Sequence, residues 1–276
     1  MSIEPRMRRL FAADGRCFDV AVDHGFFGEA RFLAGIEDLA SALDVLVDAA
    51  PDAIQLSPGS APLLQERPGP KPALVLRTDV ANVYGPTVDA EAGYFSELVP
   101  EAVERALRLD AACVVVNLLW IDGREDLHRA CVHNVGALKA RCEPAGMPLM
   151  VEPLAMKPGS GGYGVNGDPQ QIQALVRQAA ELGADVIKAD PTDDLDDYPD
   201  VIEVAGPVPL LVRGGGRASD EEVLRRTQAV MRAGASGIVY GRNVIQHERP
   251  SAMTRALMSV VHDGVAADAA LASIGG

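Results

Sequence analysis

Eight short apolar runs, each bounded by turn residues, recur along the whole chain: Phe18–Asp23, Ala53–Ser57, Ala73–Thr78, Cys113–Leu118, Leu149–Leu154, Asp185–Ala189, Pro209–Arg213 and Gly237–Tyr240. Segments with helical spacing lie between them, at Ile36–Ala50, Pro100–Leu109, Arg124–Cys142, Pro169–Leu182, Tyr198–Ala205 and Asp220–Ala233, and Arg249–Gly264 closes the chain. The stretch between the second and third runs is short and proline-rich, so it predicts one helical turn at most. Strand–helix alternation of this kind requires a parallel sheet with right-handed crossovers.

Several runs are apolar at successive positions, as in Val114–Val116 and Leu210–Val212, which suits strands covered by helices on one face and a packed interior on the other. Eight units in 276 residues predict a single-domain (β/α)8 TIM barrel, a fold that takes about 250 residues. No G-x-G-x-x-G follows the first run, which argues against a dinucleotide-binding open sheet. Met7–Phe11, within the opening segment Ile3–Gly15, predicts a short helix capping the barrel floor. No linker composition interrupts residues 1–276, so one domain is expected.

Charge narrows the choice of partner. With 25 basic against 39 acidic residues the net charge is −14, which repels nucleic acid and anionic membranes. An anionic ligand then needs a local site of backbone N–H groups and arginine. No apolar run approaches the ~20 residues that span a bilayer, and Met1–Leu10 lacks a signal-peptide core, so a cytoplasmic protein is expected. Cys17, Cys113, Cys131 and Cys142 show neither CxxC pairing nor zinc-ligand spacing, and are read as reduced thiols.

In such a barrel the chemistry collects at the C-terminal ends of the strands. Those ends carry Asp23-His24, Ser57, Asp79, Asn117, Glu152, Lys188 with Asp190, Arg213, and Gly241-Arg242. Lys188 is one of four lysines, and it alone among them sits inside an apolar run. Alternation places Val186, Lys188 and Asp190 on one face. An ammonium among apolar walls loses its proton more readily, and a neutral amine attacks carbonyls. The same pattern also fits a structural lysine paired with Glu152 or Asp190.

Asp23 is placed to move protons or bind a substrate hydroxyl, or else to cap a turn. His24, its neighbour, is expected on the opposite side of the pleat in a structural role. Glu152 is within reach of the amine as acid/base group or counter-ion. The following Met156–Gly164 stretch reads as a flexible flap, from which Tyr163 brings a phenol toward the site or stands in solvent, and Lys157 meets an anion or water. Arg213-Gly214-Gly215-Gly216-Arg217 and Gly241-Arg242-Asn243 follow the seventh and eighth runs, where barrels often hold phosphate.

Taken in order, Arg9–Arg16 leading into Val22-Asp23-His24-Gly25, then Val186-Ile187-Lys188, the Arg213–Arg217 glycine loop and Gly241-Arg242-Asn243-Val244 resemble the DhnA-type class I (Schiff-base) aldolases. That group includes archaeal-type fructose-bisphosphate aldolases, aminodideoxyheptulosonate synthases and autoinducer-2 thiolase relatives. The resemblance runs from Arg6 to about His247. It implies Lys188 as the Schiff-base lysine, Asp23 as the carboxylate of the carbinolamine steps, and Gly214, Gly215, Gly241 and Arg242 as the phosphate grip. It also implies a homo-oligomer with no metal or organic cofactor. In place of the family's strand-5 Tyr-Pro-Arg-Gly stands Glu152-Pro153-Leu154, similar to the tagatose-bisphosphate and sulfofructose-phosphate aldolase branch. Proton transfer then falls to Glu152 or Tyr163. The expected activity is reversible cleavage of a phosphorylated ketose or related keto compound. Transaldol or acyl transfer on the same lysine, and a silent phosphosugar-binding barrel, are the alternatives.

Overall fold

The computed structural model describes residues 1–83, 95–159 and 162–275. Eight parallel strands close into a cylinder: β1 (Cys17–Ala21), β2 (Ala53–Leu56), β3 (Ala73–Arg77), β4 (Cys113–Ile121), β5 (Leu149–Gly159), β6 (Val186–Ala189), β7 (Leu210–Arg213) and β8 (Gly237–Tyr240). Each pairs with its neighbours in sequence, and β8 returns to β1 with Cys17 opposite Gly237 and Val20 opposite Tyr240. Closure makes a specific demand at Gly237. Its φ is +145°, and a Cβ there would lie 1.8 Å from the Cys17 carbonyl oxygen, so only glycine lets β8 approach.

Helices Leu39–Ala49, Ala102–Arg108, Glu125–Ala145, Pro169–Glu181, Tyr198–Ala205 and Asp220–Ala233 cover the cylinder, and Pro62–Gln65 supplies the single turn between β2 and β3. The local chemistry is legible in Asp220–Ala233. Ser219 and Glu222 form a reciprocal capping box, and Val223, Leu224, Thr227 and Val230 are buried along one face. Pro250–His262 is not the last helix, contrary to expectation. Ala267–Gly275 follows it and buries Ala267, Ala270 and Ile274 at helical spacing.

Alternation along the strands separates two apolar regions. Outward side chains such as Phe18, Val20, Ile54 and Leu76 pack beneath the helices. Inward, Cys17, Ala53, Val75, Cys113, Met150 and Leu211 form a second cluster, which Leu10 completes from helix Glu4–Leu10 with Met7 and Phe11 packed against it. The N-terminal helix thus plugs the floor, each fully buried large apolar side chain contributing about 1.5–3 kcal/mol.

Two excursions leave the barrel. Beyond the barrel wall β5 pairs antiparallel with Gly162–Val165, Met156 lying opposite Val165 and Pro158 opposite Tyr163. The segment expected to be a flexible flap is therefore a β-ribbon, because a backbone ladder forms without help from side chains; residues 160–161 lie outside the described residues. A second ribbon joins Asp79–Asn82 to Phe95–Leu98.

Candidate active site

The inward positions turn polar toward the C-terminal ends of the strands, and they converge on a buried guanidinium. Arg77, 1% exposed at the end of β3, donates from Nε to Asp23 Oδ2 (2.8 Å) and from its two terminal nitrogens to Asp79 Oδ1 (3.3 Å), Asn117 Oδ1 (3.2 Å) and Glu152 Oε2. Asp79 is fixed in turn by the Asn117 backbone N–H (3.1 Å). Lys188 projects inward from β6 and is 3% exposed, the one buried lysine of the chain's four. Its Nζ lies 3.1 Å from Glu152 Oε1 and donates to Gln55 Oε1 at 3.2 Å. Gln55 passes its own amide hydrogen to Asp23 Oδ2 (2.7 Å). Lysine and Asp23 are thereby joined through one β2 side chain.

Glu152 meets three cations, since Arg213 Nε also lies 3.0 Å from Oε1. Burial alone would raise its carboxyl. Lys188, Arg77 and Arg213 outweigh that and hold it far below the usual carboxylate range. At Asp23, too, burial is overridden by Arg77 and Lys188, and the carboxyl sits low. The Lys188 amine is shifted down, chiefly by burial and further by Arg77 and Arg213, against the pull of Glu152 and Asp23. The site thus holds Glu152 and Asp23 ionised and makes the amine easier to deprotonate.

A cavity of about 470 Å³ adjoins this cluster, lined by Asp23, Arg77, Glu152, Lys188 and Arg213, by Tyr163 from the ribbon, and by both glycine loops. Lys157 is exposed and absent from the lining. His24 does reach the cavity, contrary to expectation: β1 ends at Ala21, and a 3₁₀ turn over His24–Phe27 replaces the pleat. Its ring packs edge-on to Phe32 and so close to Gly241 that a Cβ there would lie 2.3 Å from it. Burial pushes the His24 imidazole down to about 4.

The glycine loops after β7 and β8 are fastened to each other. Asn243 accepts from the Ala218 N–H (3.0 Å) and donates to the Gly214 and Gly216 carbonyls (3.2 and 3.3 Å), while Arg226 and Arg242 donate to the Gly214 and Gly215 carbonyls (2.7 and 3.1 Å). A planar trans peptide then turns the following N–H to the other side. The Gly214 N–H itself donates to the Val239 carbonyl (3.1 Å). Arg213, a candidate anion ligand, directs Nε to Glu152 and a terminal nitrogen to Asp190 Oδ1 (2.8 Å).

Arg77, Gln55 and Asp19 were not singled out from sequence. Each is a polar residue at an inward position of an apolar run, the same signal that marks Lys188. Ser57 faces Ser60 instead (2.9 Å) and does not line the cavity.

A closed parallel barrel with an ionised cluster and one buried lysine at its mouth defines a barrel enzyme of carbonyl chemistry. Residues 17–247 match the DeoC/LacD family aldolase model. An uncharacterised aldolase of Saccharolobus solfataricus is 31% identical over 270 residues, covering 94% of either chain. The 2-amino-3,7-dideoxy-D-threo-hept-6-ulosonate synthase of Halobacterium salinarum is 29% identical over 272 residues, 98% of this chain and 95% of its own. A structure described for the mechanism and reaction intermediates of a Schiff-base-forming fructose-1,6-bisphosphate aldolase superposes with a TM-score of 0.77 at 27% identity, over 95% of this chain and all of that one. The chain belongs to the DeoC/LacD aldolase family and is a class I aldolase, a carbon–carbon lyase. Among the described residues no helix is long and apolar enough to cross a membrane.

Proposed function

We propose that Lys188 is the Schiff-base lysine and that the substrate is a phosphorylated ketose or related keto compound, cleaved reversibly into two carbonyl fragments. The observation that carries this reading is the position of the Lys188 amine. It is buried at the cavity, its pKa is lowered, and Glu152 and Gln55 hold it in one orientation. The neutral amine adds to the ketone carbon, and the carbonyl oxygen takes a proton to give the carbinolamine. Loss of water leaves the iminium, which accepts the electron pair released when the carbon–carbon bond breaks.

Asp23 is the base for these proton movements. Glu152, encircled by cations, stays ionised and serves as counter-ion and anchor rather than as proton donor. Tyr163 carries the single hydroxyl among the described residues lining the cavity, and takes the place of the family's strand-5 tyrosine. The turn Gly214–Gly216 with Gly241 and Arg242 receives the phosphate, and Asn243 holds that cradle in shape. Arg213 acts beside it, on Glu152 and Asp190. One domain over residues 1–276, cytoplasmic and homo-oligomeric, completes the reading; the net charge of −14 supports a small-molecule substrate over nucleic acid or membrane.

Borohydride added with a panel of phosphorylated ketoses and ketones will reduce the iminium and leave the substrate mass on Lys188. Full activity in Lys188→Ala rejects the assignment. Likeness to a heptulosonate synthase supports a second reading, transfer to another acceptor, which product analysis with a second aldehyde or keto acceptor separates from simple cleavage.

A further inference from the structure

We propose that Asp19 is a positioning residue for this reaction, a sealed carboxyl on the floor side of the lysine whose ionisation stabilises the cationic iminium through the barrel interior. The inference rests on the Lys188 assignment above. Asp19 is fully buried on the inward face of β1, opposite Ala53 and Val239 in register and four residues before Asp23. Neither Oδ1 nor Oδ2 has a hydrogen-bond partner among the described residues, although both oxygens are inaccessible. The neighbouring inward positions are apolar, with Cys17, Ala53, Val75 and Val239 in one cluster. A carboxyl placed there for packing is a poor choice, since an alanine or valine would fill the position without an unsatisfied polar group.

The charged groups that act on Asp19 are those of the reaction centre: Lys188 from β6, Asp23 from the turn after β1, Arg77 from β3 and Glu152 from β5, with the thiols Cys17 and Cys113 on the floor side. Burial pushes the Asp19 carboxyl up to about 7, with Lys188 and Arg77 pulling the other way and Asp23 and Glu152 adding to the rise. Its charge therefore changes in the working pH range. Below that value Asp19 is neutral and leaves the lysine free to shed its proton. Above it the carboxylate, unscreened by water, favours a positive charge on the Lys188 nitrogen and keeps the iminium protonated, as an electron sink must be.

The test is the pH dependence of borohydride trapping with dihydroxyacetone phosphate, compared among wild type, Asp19→Asn, which keeps the shape but never ionises, and Asp19→Val, which matches the apolar neighbours. Between about pH 5.5 and 8.5, the wild type will show an inflection near 7 that both variants lack. The three will coincide below about pH 6, and at pH ~8 the variants will trap roughly tenfold less adduct, as one unit of pKa change on the nitrogen requires. Superimposable profiles, or a uniform loss at every pH as from a merely structural defect, overturn the inference while leaving Lys188 in place. Should neither variant fold, a wild-type profile without the inflection overturns it equally. Absence of any adduct on wild-type Lys188 sinks the lysine assignment and this inference together.

Discussion

The floor and the mouth of the barrel are built by the same strands on the same inward face, a few residues apart, and they do opposite things. At the floor, Cys17, Ala53, Val75, Cys113 and Met150 close around Leu10, an apolar cluster with the buried Asp19 carboxyl beside it. At the mouth, Asp23, Arg77, Asp79, Glu152, Lys188 and Asp190 are buried to a similar degree, and nearly every side chain is ionisable. Apolar burial stabilises without any need of partners. A buried charge demands a counter-charge and hydrogen bonds, and such pairs do little more than offset their own desolvation. The floor therefore holds the fold, while the mouth is held by it. The contrast predicts that floor substitutions cost stability alone, whereas mouth substitutions cost turnover and add a stability loss only where they strip several carboxylates of their counter-charge.

The largest expected effect is at the mouth. Asp23→Asn will lower kcat by about 10²–10⁴-fold, as loss of an acid–base group does, while its thermal midpoint stays near that of the wild type. Comparable losses in both would break the contrast. Arg77→Met tests the counter-charge directly. Removing the guanidinium takes the paired cation from Asp23 and Asp79 and one of three from Glu152, so urea titration will show a loss of about 3–5 kcal/mol together with lost turnover. Leu10→Ala at the floor will cost about 2–5 kcal/mol by the same titration, and kcat per folded molecule will not change.

The smallest effect lies below the floor, where His262 bridges Asp14 and Asp52 at 2.9 Å from each ring nitrogen. Its hydrogen bond to Asp52, with help from Asp14, raises its pKa from 6.5 to about 9. A raised folded-state value means the stabilisation is complete below pH 6.5 and is lost as pH rises through 9. Unfolding measured at pH ~6 and pH ~10 will differ by about 1–3 kcal/mol on this account, a difference that His262→Gln will remove.

Strand order, barrel closure and the lysine were legible along the chain because period-2 alternation and turn residues are local signals. The ribbons were not. The glycines of Gly159–Gly164 carry no side-chain pattern, and pairing with β5 comes from backbone groups that the sequence does not differentiate. Arg77 shows the same limit at the site. Its inward position was readable, but its three carboxylate partners lie just past β1, on β5 and at Asp79 just beyond β3, so its role as hub depends on how the strands stagger around the cylinder.

The amino-acid order by itself determined which residues face inward and how many strands must close. Tertiary structure alone decided which charges meet: that Glu152 is encircled by Lys188, Arg77 and Arg213, that Arg213 turns toward carboxylates, and that Asp19 is left with no hydrogen-bond partner among the described residues. The physical reason is range. Side-chain alternation is set by each residue's own backbone, whereas the proton affinity of a buried group is set by charges brought next to it from strands far away in sequence.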